Sequence, residues 1–182
     1  MYKVLHFSPV RKRSEIVRQH LDSLNNLKQN GIDLTFSFFD DNQDNESSAY
    51  LKEFVENTER AFLHDFNLDR NLNYSGEKRW VPTLYERITL IKNKAIDYFL
   101  RNDFDYLFFS DSDLIIHPFT LEHLIEQKKD FCSSIFWTHF DNSITYTPNA
   151  WYSKPKGFDI EDIINFREEG LYAVDFTGAC TL

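Results

Sequence analysis

Apolar residues in this chain form either short continuous runs or repeats at helical spacing. Short runs bounded by polar residues are typical of buried strands in a parallel sheet. The clearest are Lys3–Phe7, Leu34–Phe39 and Asp103–Phe109. Two longer segments, Ser14–Leu27 and Thr83–Arg101, repeat apolar residues on one helical face. The pattern therefore predicts helices that alternate with buried strands.

Weaker patterns predict the remaining elements. Ser14 is expected to cap the first helix, and Asn30-Gly31 is expected to end it. Further helices are predicted at Ala49–Val55, Pro118–Gln127 and Ile160–Arg167, strands at Asp130–Trp137 and Leu171–Phe176, an edge strand at Arg60–Phe66, and loops at Asn67–Arg79 and His139–Gly157. Alternating strands and helices over 182 residues predict one α/β domain, an α/β/α sandwich with a mainly parallel sheet.

Charge and cysteine content narrow the class of protein. The formal net charge of -9 argues against nucleic acid as a partner and suits a site that recruits a cation. No apolar stretch approaches the ~20 residues of a transmembrane segment, and no signal peptide follows Met1. Cys132 and Cys180 do not suggest a disulfide framework. We expect a cytoplasmic protein, which includes a location at the inner face of the membrane.

Acidic clusters follow two of the predicted strands. Asp111-Ser112-Asp113 ends the third apolar run, and the segment DDNQD, which begins with Asp40 and Asp41, ends the second. The carboxyl ends of parallel strands meet at one edge of a sheet, where ligands bind. Carboxylates gathered there repel each other unless a cation or hydrogen-bond donors compensate. The clusters therefore predict a site for a divalent cation, or a set of donors around the carboxylates.

The context of the acidic pair matters because an Asp-x-Asp pattern is common by chance. A second copy, Asp103-Phe104-Asp105, precedes its strand and is interpreted as a solvated turn. The helix before the acidic strand carries Arg87 and Lys92, five positions apart. Both are candidates to face the carboxylates; the alternative is an ordinary solvated helix face.

Taken in order, these motifs resemble the catalytic half of GT-A glycosyltransferases, especially the large inverting family 2. The matching segments are KVLHFSPV, FFDDNQDNES, Arg87 followed by KNKAIDYF, LFFSDSD and VDFTGAC. The resemblance covers essentially the whole chain. It implies a GT-A (Rossmann-like) fold in which the nucleotide-sugar-binding half is nearly complete and the C-terminal acceptor part is incomplete.

The resemblance also implies roles for individual residues. The nucleotide-sugar-binding set would be Ser8, Pro9, Val10, Asp40, Asp41, Arg87, Lys92, Asn93, Asp111 and Ser112. Asp41, rather than Asp40, would meet the base edge, Asp111 would lie by the ribose, and Asp113 would be the principal ligand of Mn²⁺ or Mg²⁺, with Asp111 beside it. The donor would be a UDP- or GDP-type sugar. The acceptor would be a carbohydrate or a lipid-linked hydroxyl in cell-surface polysaccharide or glycoconjugate synthesis.

Acceptor contacts are expected in the C-terminal third. Trp137, Trp151, Thr177 and Gly178 are the candidates, within an aromatic region that also holds His139, Tyr146 and Tyr152. Aromatic faces stack on sugar rings, and the alternative is core packing beneath a long loop. Family members place the catalytic base well after the Gly-containing turn, so we expect it beyond Leu182 and assign no base. This hexosyltransferase-like chain is then expected to bind donor weakly and to transfer slowly or not at all.

Three other functions compete with glycosyl transfer. One is a transferase-derived domain that binds nucleotide or carbohydrate without catalysis. Another is a haloacid-dehalogenase-type phosphatase, with Asp111 as nucleophile and Asp113 as acid/base; it would require a later Lys and a further acidic pair. A sugar nucleotidyltransferase shares the topology, but its Gly-rich loop has no counterpart in HFSPVRKR.

Overall fold

The computed structural model describes residues 1–68, 82–138, 146–153 and 160–182. The predicted loops at 67–79 and 139–157 lie largely outside the described residues, and so does His139. The helices are α1 (Ser14–Asn25), α2 (Asn45–Asn57), α3 (Pro82–Arg101), α4 (Thr120–Glu126) and α5 (Ile160–Asn165). The strands are β1 (Tyr2–Val10), β2 (Ile32–Asp40), β3 (Ala61–Leu63), β4 (Tyr106–Ser110), β5 (Trp137–Thr138), β6 (Thr147–Pro148), β7 (Ala150–Trp151), β8 (Phe176–Thr177) and β9 (Cys180–Thr181).

The central sheet has five strands in the order β3-β2-β1-β4-β9. β1 pairs in parallel with β2 and with β4, and β2 pairs in parallel with β3. β9 runs antiparallel to β4, and β5-β6 and β7-β8 form small separate sheets. The fold is therefore α/β with a mostly parallel sheet, compatible with a Rossmann-like arrangement. The predicted edge strand is confirmed as β3.

The side chains of β1 alternate between two apolar layers. Val4 and Val10 join the large core cluster, to which α1, α2 and α4 also contribute. Phe7 joins a smaller cluster on the other face, with Ile91 and Ala95 of α3. Because both faces of the strand are covered, every position from Val4 to Val10 is apolar or buried, and most of the strand appears in the sequence as a continuous apolar run.

The first helix lies within its predicted apolar repeat, but both of its ends differ from the prediction: it ends at Asn25, before Leu27 and the expected stop at Asn30-Gly31. Val17, Leu21 and Leu24 are buried on one face of α1. The expected Ser14 cap is wrong: Ser14 is already the first helical residue, and Arg13 holds the N-cap position without a side-chain hydrogen bond.

Asp44 belongs to the start of α2 rather than to the acidic cluster. α2 begins at Asn45, four residues before the predicted start, and Asp44 accepts a hydrogen bond from the Ser47 backbone N–H at 2.7 Å. The same bond holds the pKa of Asp44 below its usual value. A side-chain acceptor at this position satisfies one of the backbone donors that a helix start leaves free.

Asp44→Ala is expected to lower the free energy of unfolding by about 1 kcal/mol, because the capping acceptor is lost. Asp44→Ser keeps an acceptor at the same position and should retain most of the stability. Urea unfolding of the two variants and the parent chain measures the difference. Equal losses in both variants would mean that the cap contributes nothing.

Two predicted strands are wrong. Of Asp130–Trp137, only Trp137 lies in a strand; the backbone of Cys132 exchanges hydrogen bonds with that of Leu182 at 3.0 and 2.8 Å. This segment therefore runs beside β9 instead of forming a parallel strand. Of Leu171–Phe176, only Phe176 lies in a strand, because most of the segment is half-buried or exposed and pairs with no neighbouring strand within the described ranges. The fifth sheet strand is instead the short β9.

Cys132 and Cys180 are free and buried. Burial raises the pKa of the Cys180 thiol to about 12, which disfavours the reactive thiolate. Across the described ranges, no helix combines the length and apolar character that crossing a bilayer requires.

Candidate functional site at the carboxyl edge of the sheet

The candidate site lies at the point between β1 and β4 where the order of the strands in the sheet reverses. From β1 the chain passes through α1 to β2 on one side, whereas α3 leads to β4 on the other side of β1. The carboxyl ends of β1 and β4 therefore border the crevice that such a switch point opens, and ligands of open α/β sheets bind there. Both acidic clusters lie at this edge.

Asp40 is compensated by donors from its own loop. It ends β2 and is only 2% exposed. One carboxylate oxygen accepts hydrogen bonds from the Asn42 backbone N–H at 3.1 Å, the Asn42 side-chain amide at 3.0 Å and the Ser48 hydroxyl at 3.1 Å. Asp40 therefore orders the loop between β2 and α2.

Asp41 forms a buried ion pair with α3. The Arg87 Nε lies 3.2 and 3.1 Å from the two Asp41 oxygens, and a second guanidinium nitrogen also contacts Asp41. Both residues are 6% exposed. Arg11 adds a longer contact at 3.4 Å, and the Asp41 backbone N–H donates to the Val10 carbonyl at 2.9 Å. The pair thus ties α3 to the ends of β1 and β2.

Asp111 and Asp113 lie on one tight turn after β4. The Leu114 N–H donates to the Asp111 carbonyl at 3.2 Å, and the Asp111 N–H donates to the Ala179 carbonyl at 2.8 Å. The two side chains are 41% and 43% exposed, whereas Ser112 is buried. Partial burial of the Asp111 carboxyl raises its pKa, and the positive charge of the neighbouring Lys92 opposes that shift.

Lysines face both carboxylates of this turn. The Lys12 ammonium lies 2.6 Å from Asp113, and the Lys92 ammonium lies 3.6 Å from Asp111. The backbone of Lys12 is itself fixed, because its N–H donates to the Asn42 side chain at 3.1 Å and its carbonyl accepts from the Ser47 hydroxyl at 2.8 Å. Lys92 of α3 thus lies at the acidic edge, as Arg87 does through its pair with Asp41.

Within the described residues, donors compensate the carboxylates at this edge. Asp40 is surrounded by neutral donors, Asp41 faces arginines, and the remaining pair faces lysines. Hydrogen-bond donors and cationic side chains around the carboxylates were one of the two alternatives left open by the sequence. No three His, Cys, Asp or Glu side chains of the described part form a metal-binding group. A cation here would have Asp111 and Asp113 as its protein ligands.

No protein-family model matches this chain, and no curated protein shows significant similarity to it. The function must therefore be argued from the residues at the carboxyl edge.

Other expected site residues are placed less favourably. Ser8 and Val10 have no exposed surface and Pro9 is half-buried, so the Ser8 hydroxyl is not presented to the crevice. The reason is that Ser8 and Val10 point into the apolar layer under α1 and α2. The nucleotide contacts expected through the backbone of these residues stay a prediction. The Ser8 hydroxyl has no hydrogen-bond partner among the described residues. Asn93, next to Lys92, is exposed.

The candidate acceptor residues lie in the small sheets beside β9. Trp137 is half-buried, with the Arg167 guanidinium 4.6 Å from its ring centroid, so one face of this ring is already covered. Trp151 is 44% exposed and pairs across the β7-β8 ladder with Phe176, which is 60% exposed. Thr177 donates to a backbone carbonyl at 3.4 Å.

Asn149 joins these segments and was not singled out from the sequence. Its buried side chain donates to the carbonyls of Ser134 at 3.2 Å and Gly178 at 2.9 Å, and accepts from the Phe136 N–H at 2.7 Å. Gly178 is followed by Ala179, whose carbonyl holds Asp111 and whose φ is 70°. Asn149 thus links the aromatic segment to the acidic turn.

The lookalike motif at Asp103 is a solvated turn, as interpreted. Asp103 is 93% exposed and pairs with Lys3, and Asp105 accepts from the Lys3 backbone N–H at 2.8 Å. These contacts lie at the amino end of β4, opposite the candidate site. Sequence reasoning missed Arg11 and Lys12. Their position directly after β1 could have revealed them, because the end of β1 lies at the same edge as the acidic clusters.

Proposed function

We propose that the carboxyl edge of β1, β2 and β4 binds a nucleoside diphosphate sugar with Mn²⁺ or Mg²⁺, and that the protein is a GT-A-type glycosyltransferase. The observation that carries the proposal is the Asp111–Asp113 turn at the switch point, flanked by Lys12 and Lys92. Half-exposed carboxylates and ammonium groups in one crevice suit a diphosphate, which carries negative charge and brings oxygen ligands of its own.

The residues of the turn fit a hard divalent cation. Asp113 and Asp111 supply carboxylate oxygens, and Mg²⁺ or Mn²⁺ commonly takes its remaining ligands from phosphate and water. When bound, the ion would neutralise charge on the leaving nucleoside diphosphate. Lys12 and Lys92 now pair with the two carboxylates. In the proposed complex these ammonium groups turn to the phosphate oxygens, so that the positive charge stays in the crevice.

The buried Asp41–Arg87 pair supports the base-binding part of the proposal. Arg87 contacts both oxygens of Asp41 and Arg11 contacts one of them, so the arginines hold this carboxylate in place at the end of β2. In the proposed complex Asp41 and Arg87 together shape the base end of the crevice. The acceptor hydroxyl would approach from the side of Trp151 and Thr177, next to the turn that holds Asp111.

Calorimetric titration with UDP and GDP, with and without MnCl₂, tests the proposal. Diphosphate binding should strengthen with the metal, and Asp113→Asn should weaken the metal-dependent binding at least about tenfold, because one of the two carboxylate ligands is lost. Asp103→Asn is the matched control: it removes the same charge from the Asp-x-Asp lookalike at the opposite edge and should leave binding unchanged.

Two outcomes would contradict the proposal: no diphosphate binding under either condition, or equal effects of Asp113→Asn and Asp103→Asn. Sugar transfer to a hydroxyl acceptor would exclude a binding domain without catalysis. Release of inorganic phosphate from a phosphomonoester would favour a phosphatase.

A further inference from the structure

A chain of buried polar side chains runs from the centre of the sheet to the acidic turn. His6 Nε2 lies 2.7 Å from the Ser110 hydroxyl, which lies 3.5 Å from His20 Nε2. His20 Nδ1 lies 2.7 Å from the Leu114 carbonyl. His6 and Ser110 are on neighbouring strands, β1 and β4, and His20 is on α1 above them. All three side chains are almost fully buried.

The chemistry of the groups determines the direction of the hydrogen bonds. A carbonyl only accepts, so His20 Nδ1 carries the proton and donates to Leu114. Burial lowers the pKa of both imidazoles and keeps them neutral, so His20 Nε2 is an acceptor. The Ser110 hydroxyl then donates to His20, and His6 Nε2–H donates to Ser110. The opposite direction would leave a His6 Nδ1–H donor buried among Phe36, Phe38 and Phe108.

His6 Nδ1 has no hydrogen-bond partner among the described residues. In the assigned direction this nitrogen is a bare lone pair, which needs no acceptor nearby. The hydrogen bonds therefore run in one direction: His6 donates to Ser110, Ser110 donates to His20, and His20 donates to the Leu114 carbonyl.

This series of hydrogen bonds ends at the turn that carries Asp111 and Asp113. The turn closes through the bond from the Leu114 N–H to the Asp111 carbonyl, and its first residue is held by Ala179. His20 holds its last residue through the Leu114 carbonyl. The turn is thus fixed at both ends, while the carboxylates between them remain about two-fifths exposed.

We infer that His20 and Ser110 are positioning residues, which hold the Asp111–Asp113 turn in the shape that presents both carboxylates to one ligand. Ligand groups bind well only when the structure around them fixes their geometry. The inference about the turn itself stands on the hydrogen bonds described here; only its consequence for metal and diphosphate binding rests on the proposed function.

Tautomer measurement in the unaltered protein is the first test. Long-range ¹H–¹⁵N correlation spectra should show His20 protonated at Nδ1 and His6 protonated at Nε2. This experiment needs no variant and so does not depend on a substitution folding. A His20 protonated at Nε2 would overturn the inference, because Nδ1 could not then donate to Leu114.

Amide exchange in variants is the second test. His20→Leu should speed exchange of the Leu114 amide about five- to tenfold more than exchange in the core strands, since one buried hydrogen bond is lost. His20→Asn places a side-chain N–H at the same distance from the backbone as Nδ1 and should restore protection. Ser37→Ala is the control: it removes a buried hydroxyl that donates to the His6 carbonyl at 2.7 Å, away from the turn.

Binding of Mn²⁺ and UDP to the same variants completes the test. His20→Leu and Ser110→Ala should weaken metal-dependent binding, whereas His20→Asn and Ser37→Ala should not. Equal loosening of the turn and the core in His20→Leu, matching Ser37→Ala, would overturn the positioning role. Selective loosening of the turn in a protein that binds no diphosphate at all would support that role and contradict the proposed function instead.

Discussion

Arg87→Met is expected to lower the free energy of unfolding by about 3–5 kcal/mol, because it leaves the Asp41 carboxylate buried without the Arg87 guanidinium. Asp41 is 6% exposed and receives Arg87 through both of its oxygens. Methionine replaces much of the apolar stem of arginine, so the measured loss reflects the charge and its hydrogen bonds more than packing. Urea unfolding at constant pH and salt gives the difference.

The matched control for this variant is Arg60→Met. Arg60 also pairs with an aspartate, Asp33, but the arginine is 56% exposed. Asp33 is 16% exposed, but a pair whose arginine stays in solvent contributes only about 0–1 kcal/mol. Removing both buried partners, in Arg87→Met with Asp41→Leu, should recover part of the loss because no buried carboxylate then remains without Arg87. If Arg87→Met were no more destabilising than Arg60→Met, the pair would not be buried in solution as described.

Acidification from about pH 7.5 to about pH 5.5 is expected to lower the free energy of unfolding by up to about 1.4 kcal/mol for each of His6 and His20. Burial lowers the pKa of both imidazoles, that of His6 strongly. The unfolded chain therefore binds protons near pH 6.5 that the folded chain does not bind. Their stabilising contribution is complete above that pH and is lost as the pH falls below it.

Variants separate the histidines from the other titrating groups. His20→Asn should reduce the pH-dependent loss, since one of the buried titrating imidazoles is removed. His117→Asn, at an exposed histidine, should leave the loss unchanged. His64 adds to the same effect, because burial lowers its pKa to about 4. Asp111, whose pKa is raised mainly by burial, acts in the opposite direction at lower pH. Urea unfolding across the pH range measures each contribution, and an unchanged loss in His20→Asn would contradict a buried neutral His20.

The sequence predicts the centre of this fold well because burial on two faces leaves a clear pattern. β1, β2 and β4 appear as continuous apolar runs, and α1 and α3 show regular apolar repeats. The prediction fails where pairing is short or long-range. β9 has two residues, too few for any periodicity, and the segment near Cys132 is extended only because it bonds to that distant strand.

Part of the candidate site could also be predicted from the sequence. Asp41, Arg87 and Asp111 could be brought together from the sequence because the carboxyl ends of parallel strands share one edge. Lys12 lies just after the end of β1 and so belongs to the same edge, but it was not singled out from the sequence. Asn149 and His20 could not be found in this way, because each acts through contacts with segments far along the chain that no local pattern encodes.

The unequal size of the two apolar layers has a consequence for motion at the crevice. Among the described residues, α3 packs through the small cluster of Phe7, Phe39, Ile91 and Ala95, whereas the opposite layer is extensive. Segments with few buried apolar contacts open locally at lower free energy than the rest of a fold. Arg87 and Lys92 therefore travel with the more easily opened layer, while the acidic turn is anchored to the firmer one. We therefore expect local opening of α3 to widen the crevice, and a ligand that bridges both layers to make that opening less frequent.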